Sequence, residues 1–318
     1  MMVKPYAEIR DAIDKKDRGL REKVVSLKEA IALVKDGDTI AAGGCHYSRT
    51  PMAAVWEIIR QKKKDLTYCR SITSTEGDLL LVAGAVKHVI TSWFSAGVTW
   101  GVSAVMRHYT EKKLAVYEEW SHMAMGLRFR AGGLGIPFIP TRAMLGSDLV
   151  PRLPGLKEMD CPYTGERLCL LPALNPDVAI LHTQRCDPYG NVHSDGLPFM
   201  DQDIAMAATK VIVTTERIIS NDQVRRRPDQ TKIRFFCVDA VVEVPYGCLP
   251  HECYGEYQPD FVNMDAYVKL MKSRGLEGVR EYLDKYVYAP PSWNDYLALY
   301  GFKNILEATV QGRGIYND

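Results

Sequence analysis

An α/β fold with an open, mainly parallel sheet flanked by helices, followed by a helical C-terminal part, is what this sequence predicts. Two observations carry that expectation. Runs such as Val178-Ala179-Ile180-Leu181 and Val211-Ile212-Val213 are apolar without alternation, as strands are when helices cover both faces of a sheet. Such runs also alternate with segments of helical periodicity over most of the chain, the pattern left by parallel crossovers.

Taken in order, the chain opens on a charged helical stretch through Glu8, Arg10, Asp11, Asp14, Lys15 and Lys16. Ser26-Leu27-Lys28-Glu29 is a capping-box pattern, and Leu27, Ala30, Ile31 and Val34 place one apolar face on the helix behind it. Asp36-Gly37-Asp38 is a turn, Thr39-Ile40-Ala41-Ala42 a short buried strand ending in Gly43-Gly44, and Pro51 sits near the first turn of the next helix. A strand over 66–72 and a helix over 78–86 follow. Then come a strand at 89–90, a helix near 102–109, a strand at 114–117 and a helix over 123–131. Beyond the two clear apolar strands, a helix is predicted at 201–210, and strands at 235–238 and 240–242 bracket Asp239. From Asp265 onward the periodicity is helical.

The 318 residues suffice for one large domain or two small ones, and a formal net charge of +1 gives no global field for nucleic acid or an anionic membrane. The basic runs 62–64 and 225–227 read as solvated helix ends. No apolar stretch approaches the ~20 residues that span a bilayer, and no basic-then-apolar leader opens the chain, so a cytoplasmic location is expected. The eight cysteines then remain thiols; they contain no CxxC pair and no zinc-ligand spacing, so neither metal nor disulfide is expected.

In open parallel sheets ligands sit beyond the carboxyl ends of the strands, which selects the loops at 43–51, 74–78, 121–122, 186–192 and 245–254. In the first, Gly43 and Gly44 would let backbone amides approach a ligand, though a plain strand-to-helix turn explains them equally. It is neither a GxGxxG fingerprint nor a P-loop. In the second, Ser74, Thr75, Glu76 and Asp78 crowd a helix start, where hydroxyl capping and dipole-favoured acids compete with a role in binding an acyl or carboxylate group. Ser121 is a candidate N-cap with His122 behind it. Asp187-Pro188-Tyr189-Gly190-Asn191 is a structural turn by its chemistry. The 245–254 loop is a connection or a site wall. No nucleophile–base pairing emerges from spacing: there is no GxSxG elbow and no HExxH.

The same stretches, in the same order, resemble the A subunit of family I coenzyme A transferases of the glutaconate type. The likeness runs from about Val25 to Leu306 through SLKEAIALVKDGDTIAAGG, SRTPMAAVWEIIRQ, LGIPFIPTRAMLGSDL, PDVAILHTQRCDPYGNV and CVDAVVEVPYGCLPHECYGEY. It implies the CoA transferase and NagB/RpiA-like version of the sheet, with residues 25–318 as the A-subunit domain and residues 1–24 as a helical extension. It also implies an enzyme active only with a B subunit, in a hetero-oligomer, whose glutamate carries CoA as a thioester between an acyl-CoA and a carboxylic acid. Coenzyme A is then a co-substrate, and no cofactor is bound permanently. This chain supplies no nucleophile but shapes the acid pocket.

Carried over by position, the implied substrate-binding residues are Gly43, Gly44, Ser48 and Arg49 on the first loop, Ser74, Glu76 and Gly77 on the second, and Ser121. Glu76 stands where the glutaconate enzyme has a glycine-rich stretch, and it would repel a second carboxylate unless Arg49 or another cation compensates. Ring-cleaving hydrolases of the same family instead use an A-subunit glutamate near the start of the helix at 123–131. Here Glu118, Glu119 and His122 lie nearby, with Glu119 and His122 as possible assisting groups. A non-catalytic ligand-sensing module on this sheet type is a further alternative, but no DNA-binding segment accompanies it.

Overall fold

A computed structural model describes residues 6–97, 99–153 and 155–314. The strands are β1 (Thr39–Ala42), β2 (Leu66–Thr73), β3 (Val86–Gly97), β4 (Gly101–Val102), β5 (Val116–Glu119), β6 (Phe138–Thr141), β7 (Lys157–Asp160), β8 (Arg167–Pro172), β9 (Val178–Cys186), β10 (Val192–His193), β11 (Lys210–Ile218), β12 (Thr231–Ile233) and β13 (Ala240–Glu243). The helices are α1 (Tyr6–Asp14), α2 (Leu27–Ile31), α3 (Met52–Arg60), α4 (Thr75–Val82), α5 (Ala104–Glu111), α6 (His122–Leu134), α7 (Asp201–Ala207), α8 (Asn221–Arg226), α9 (Phe261–Leu283), α10 (Trp293–Tyr300) and α11 (Phe302–Gly314). Helix α9 bends at Gly275, whose φ is 59°. No helix among the described residues is long and apolar enough to cross a membrane.

The main sheet is parallel along β5–β3–β2–β1–β9–β11–β13, with β4, β10 and β12 added antiparallel. Alternate residues of each strand enter opposite faces, as the pleat requires. Ile40, Ala42, Val178, Ile180 and Ile212 pack with α2, α3, α4 and the C-terminal helices. Ala41, Ala179, Leu181, Val211 and Val213 pack with α6 and α7. This two-sided burial is the reason the strands read as unbroken apolar runs.

The chain lays β1, β2, β3 and β5 outward in one direction, then returns to place β9, β11 and β13 on the other side of β1. The direction of winding therefore reverses between β1 and β9. Two helices diverge from such a point and leave a crevice beyond the strand ends. The loop after β1 meets the segment 197–201, which follows β10, at this point.

Three expectations change. The strand predicted at 235–238 is a single 3-10 turn, Phe235–Cys237; the Phe235 amide donates to Asn191 Oδ1, and ladder pairing with β11 begins only at Ala240. The helix predicted from Asp78 starts earlier, at Thr75, so Glu76 and Asp78 are both in its first turn. Residues 138–172 hold a separate antiparallel sheet ordered β6–β8–β7, which the periodicity did not show.

Candidate active site at the sheet reversal

The first glycine loop turns its backbone inward. Gly43 N donates to Ile180 O at 2.9 Å and Gly44 N to Asp201 Oδ1 at 2.8 Å, while the amides of Cys45, Ser48 and Arg49 are taken by Ser48 O, Cys45 O and Glu252 O. These amides are thus committed to the fold. The glycines are needed for space. A Cβ on Gly43 would lie 2.5 Å from Leu181 Cδ2, and one on Gly44, at φ 66°, would lie 2.1 Å from Ser48 O. Gly77 serves the second loop in the same way, since a Cβ there would meet Thr73 Cγ2 at 2.4 Å and Phe94 Cζ at 2.6 Å.

Arg49 is buried and forms an ion pair with Asp201 at 2.5 Å. Its remaining donors reach His182 O at 3.2 Å and Leu197 O at 2.9 Å. It does not compensate Glu76. That role belongs to Arg70, which is fully buried in the middle of β2 and donates to Glu76 Oε1 at 2.6 Å, Gly43 O at 3.2 Å and Thr50 Oγ1 at 3.0 Å. Two buried pairs therefore bracket the ends of β1 and β2. Removing one member of such a pair strands a charge and costs about 3–5 kcal/mol. Arg70 was legible in principle, because an arginine inside the apolar run 66–72 needs a buried partner.

The 245–254 loop forms a wall of the site. His251 is buried between Thr50 Oγ1 and Thr75 Oγ1, each 2.8 Å from a ring nitrogen, and it ties the two predicted loops together. Burial, with Arg70 and His46 adding to it, holds its pKa well below the ordinary histidine value, so the ring is neutral. Asp78 accepts from Ser103 Oγ and from Tyr267 Oη at 3.1 Å, and burial pushes its pKa up to about 7. Sequence reasoning missed Asp201, His251, Thr50 and Arg70 as parts of this assembly. They come from four separate elements, and spacing gave no sign that they converge.

Ser48 is half-buried, and its backbone pairs with Glu252. Ser121 is an N-cap, accepting from Ala124 N at 3.1 Å. His122, exposed at the start of α6, lies 3.4 Å from Ser92 Oγ through Nδ1. Glu119 is exposed at the end of β5. These last three share the carboxyl edge of the sheet with the glycine loops, but at β5, beyond β2 and β3 from β1. Neighbouring Glu118 is tied to Trp120 Nε1 at 2.6 Å and Arg128 at 3.3 Å. The turn at 187–191 is structural, as its chemistry suggested: Asp187 accepts from the amides of Tyr189 and Asn191 and from the side chains of Asn191 and Asn221.

A sequence profile of the coenzyme A transferase family matches residues 24–244. The A subunit of glutaconate CoA-transferase from Acidaminococcus fermentans is 36% identical over 93% of this chain and 98% of its own. The crystal structure of that transferase superposes with a TM-score of 0.84 and 35% identity, covering 90% of this chain and 95% of the other. A protein of Archaeoglobus fulgidus with no assigned role is 37% identical over 92% of this chain, which spans 66% of that protein's length. The cholesterol ring-cleaving hydrolase IpdA subunit of Rhodococcus jostii is 32% identical over 74% of this chain and 83% of its own.

Proposed function

Because this chain belongs to the coenzyme A transferase family, we propose that it is the A subunit of a heteromeric enzyme that exchanges CoA between an acyl-CoA and a carboxylic acid. The exchange passes through a glutamyl-CoA thioester on a partner B subunit. One observation carries the division of labour. Glu76, Asp78 and Asp201 are buried and engaged: Glu76 by Arg70, Asp201 by Arg49, and Asp78 by Ser103 and Tyr267. None of these three is offered as a nucleophile, which supports an attacking carboxylate from another chain.

In this reading the partner's glutamate attacks the thioester carbonyl, forming a mixed anhydride and expelling CoA as thiolate. The thiolate then attacks the glutamyl carbonyl of that anhydride, releasing the first acid and leaving CoA on the glutamate. An incoming carboxylate runs the same steps in reverse. This chain holds the acid in place beside that glutamate through the side chains at the ends of β1 and β2. CoA is a co-substrate, with no resident cofactor or metal in the mechanism.

The test is co-expression with a B subunit of this family, sought first in the adjacent reading frames. The pair is expected to transfer CoA only when an acceptor acid is present, and borohydride added with acyl-CoA should trap the glutamyl-CoA thioester on the B chain. The isolated chain should show no turnover, and activity of rigorously purified chain alone would overturn the assignment. Rapid release of free CoA without acceptor, with nothing trapped, would instead make the complex a hydrolase like the ring-cleaving relatives.

A further inference from the structure

Two hollows open beside α7, outside the loops of the acid site. The first, about 250 Å³, lies between α7 and the segment 231–237. The second, about 300 Å³, lies between α7, the end of α6 and the N-terminal stretch 10–18. Both are lined by Ala205, Met206, Phe236 and Cys237, so they adjoin and form one groove. Together they have the size of a small-molecule site. The outer wall of the groove is pinned in place. Arg10 Nη1 donates to Gly132 O at 3.3 Å, and Lys16 Nζ donates to Cys237 O at 2.5 Å while pairing with Asp239 at 2.6 Å. Helix α1 and the turn behind it are thereby laid across the end of α6 and the 231–237 segment.

Charge is distributed unevenly around this groove. Lys232 and Arg234 line the first hollow, and Arg10, Lys16 and Arg18 line the second, against a single carboxylate, Asp14. The whole chain has a formal net charge of only +1, so the excess is local. Arg10 is answered by Asp14 at 3.2 Å and Lys16 by Asp239. Among the described residues, Arg18 and Lys232 donate only to backbone oxygens, Ile13 O and Asp229 O, each at 3.4 Å. Arg234 is exposed. These three keep donors for a ligand. Burial raises the pKa of the Cys237 thiol, whereas Lys16, Arg18 and Arg234 all lower it. Positive charge thus reaches the shared middle from both hollows. That middle is otherwise apolar: Ala205 is buried, Met206 is 47% exposed, and Phe236 faces both hollows.

The order of cations, apolar floor and cations selects the ligand. An inorganic anion leaves the floor bare, and a monoanion with an apolar tail answers one end only. An organic dianion with an apolar body between its charges pairs both ends through charge-assisted hydrogen bonds and covers the floor.

We propose that the groove between α7, residues 231–237 and α1 binds an organic dianion with an apolar body, a ligand distinct from the acids exchanged at the strand ends. The proposal holds whether or not the chain takes part in CoA exchange. Calorimetric titration of the full-length chain with succinate, octanoate and decanedioate tests it. Decanedioate is expected to bind at least about tenfold more tightly than octanoate, which lacks the second charge, or succinate, which lacks the apolar body. Arg18→Glu and Arg234→Glu, both at exposed positions, reverse the charge at one end each. Each should weaken decanedioate at least about tenfold, as loss of a charge-assisted hydrogen bond does. The two ends give two independent variants, and circular dichroism reports whether each is folded. No saturable binding, equal affinity for the three acids, or undiminished binding in a folded variant overturns the proposal. A crystal structure with decanedioate decides the same point without a variant. The dianion is expected along Met206 and Phe236; its presence only at the strand ends, or a neighbouring chain filling the groove, overturns the proposal.

Discussion

His182 shows how much a single buried residue carries. Its Nε2 lies 2.8 Å from Glu216 Oε1 and its Nδ1 2.9 Å from Thr214 Oγ1, whose own hydrogen goes to Leu181 O. Both ring nitrogens therefore face acceptors, the arrangement of an imidazolium. Burial opposes that charge, but Cys253 and Glu216 together outweigh it and push the pKa up to about 9. The structure also brings Cys248 and Cys253 within 4.8 Å of this ring, a grouping that their spacing in sequence did not suggest. Glu216 in turn accepts from the amides of Tyr246 and Gly247 and from Tyr257 Oη, so the histidine braces the loop that walls the site. An unfolded histidine titrates near ~6.5. With the folded value raised, the stabilisation is fully present below about pH 6.5 and is lost as pH climbs through about 9, on the order of 3 kcal/mol in all. Thermal melts across that range should fall more steeply for wild type than for His182→Gln; parallel slopes would remove the charge from this account.

At the scale of elements, the glycine loop after β1 is held by steric demand as much as by hydrogen bonds. Gly44 and Gly37 both have positive φ, 66° and 83°, but only Gly44 is crowded: a Cβ on Gly37 meets nothing within 4 Å. Gly37→Ala should cost only the left-handed backbone penalty, about 1–2 kcal/mol. Gly44→Ala adds a clash with the Ser48 carbonyl and should cost at least about 2 kcal/mol beyond that, with loss of acid binding because the loop must shift. Urea titrations of the two variants give the difference directly, and equal losses would mean that the loop tolerates the added atom. The strands flanking this loop were plain in the sequence because burial on both faces leaves an unambiguous apolar run. The 3-10 turn at Phe235–Cys237 was misread for a related reason. Its apolar side chains imitate a strand, and only the position of β11's partner shows that the ladder begins after Asp239.

For the whole molecule, the parallel sheet ends at β13, whose outer edge is covered by the chain's own start. Val24 bridges Val241, Val25 N donates to Val241 O at 2.9 Å, and Val241 N donates to Lys23 O at 2.8 Å. Lys16 adds an ion pair to Asp239 at 2.6 Å. An uncovered edge strand is a template for pairing with other chains. Deleting residues 1–20 should therefore leave the protein dispersed, whereas deleting residues 1–26 should bare β13 and produce aggregation, read by light scattering at equal concentration. Two dispersed truncations would show that the segment has no protective role. By itself, the sequence determined the α/β class, the order of most strands and helices, the loops at the strand ends and the coenzyme A transferase family. Each of these depends on residues near one another in the chain, or on an ordered series of such stretches. What the tertiary structure alone decided is which buried polar group meets which: Arg49 with Asp201, Arg70 with Glu76, and the neutral His251 between Thr50 and Thr75. Arg70 and Glu76 are only six positions apart, across the turn from β2 into α4, but Arg49–Asp201 and Thr50–His251 join residues 152 and 201 positions apart, which no local pattern in the sequence can show.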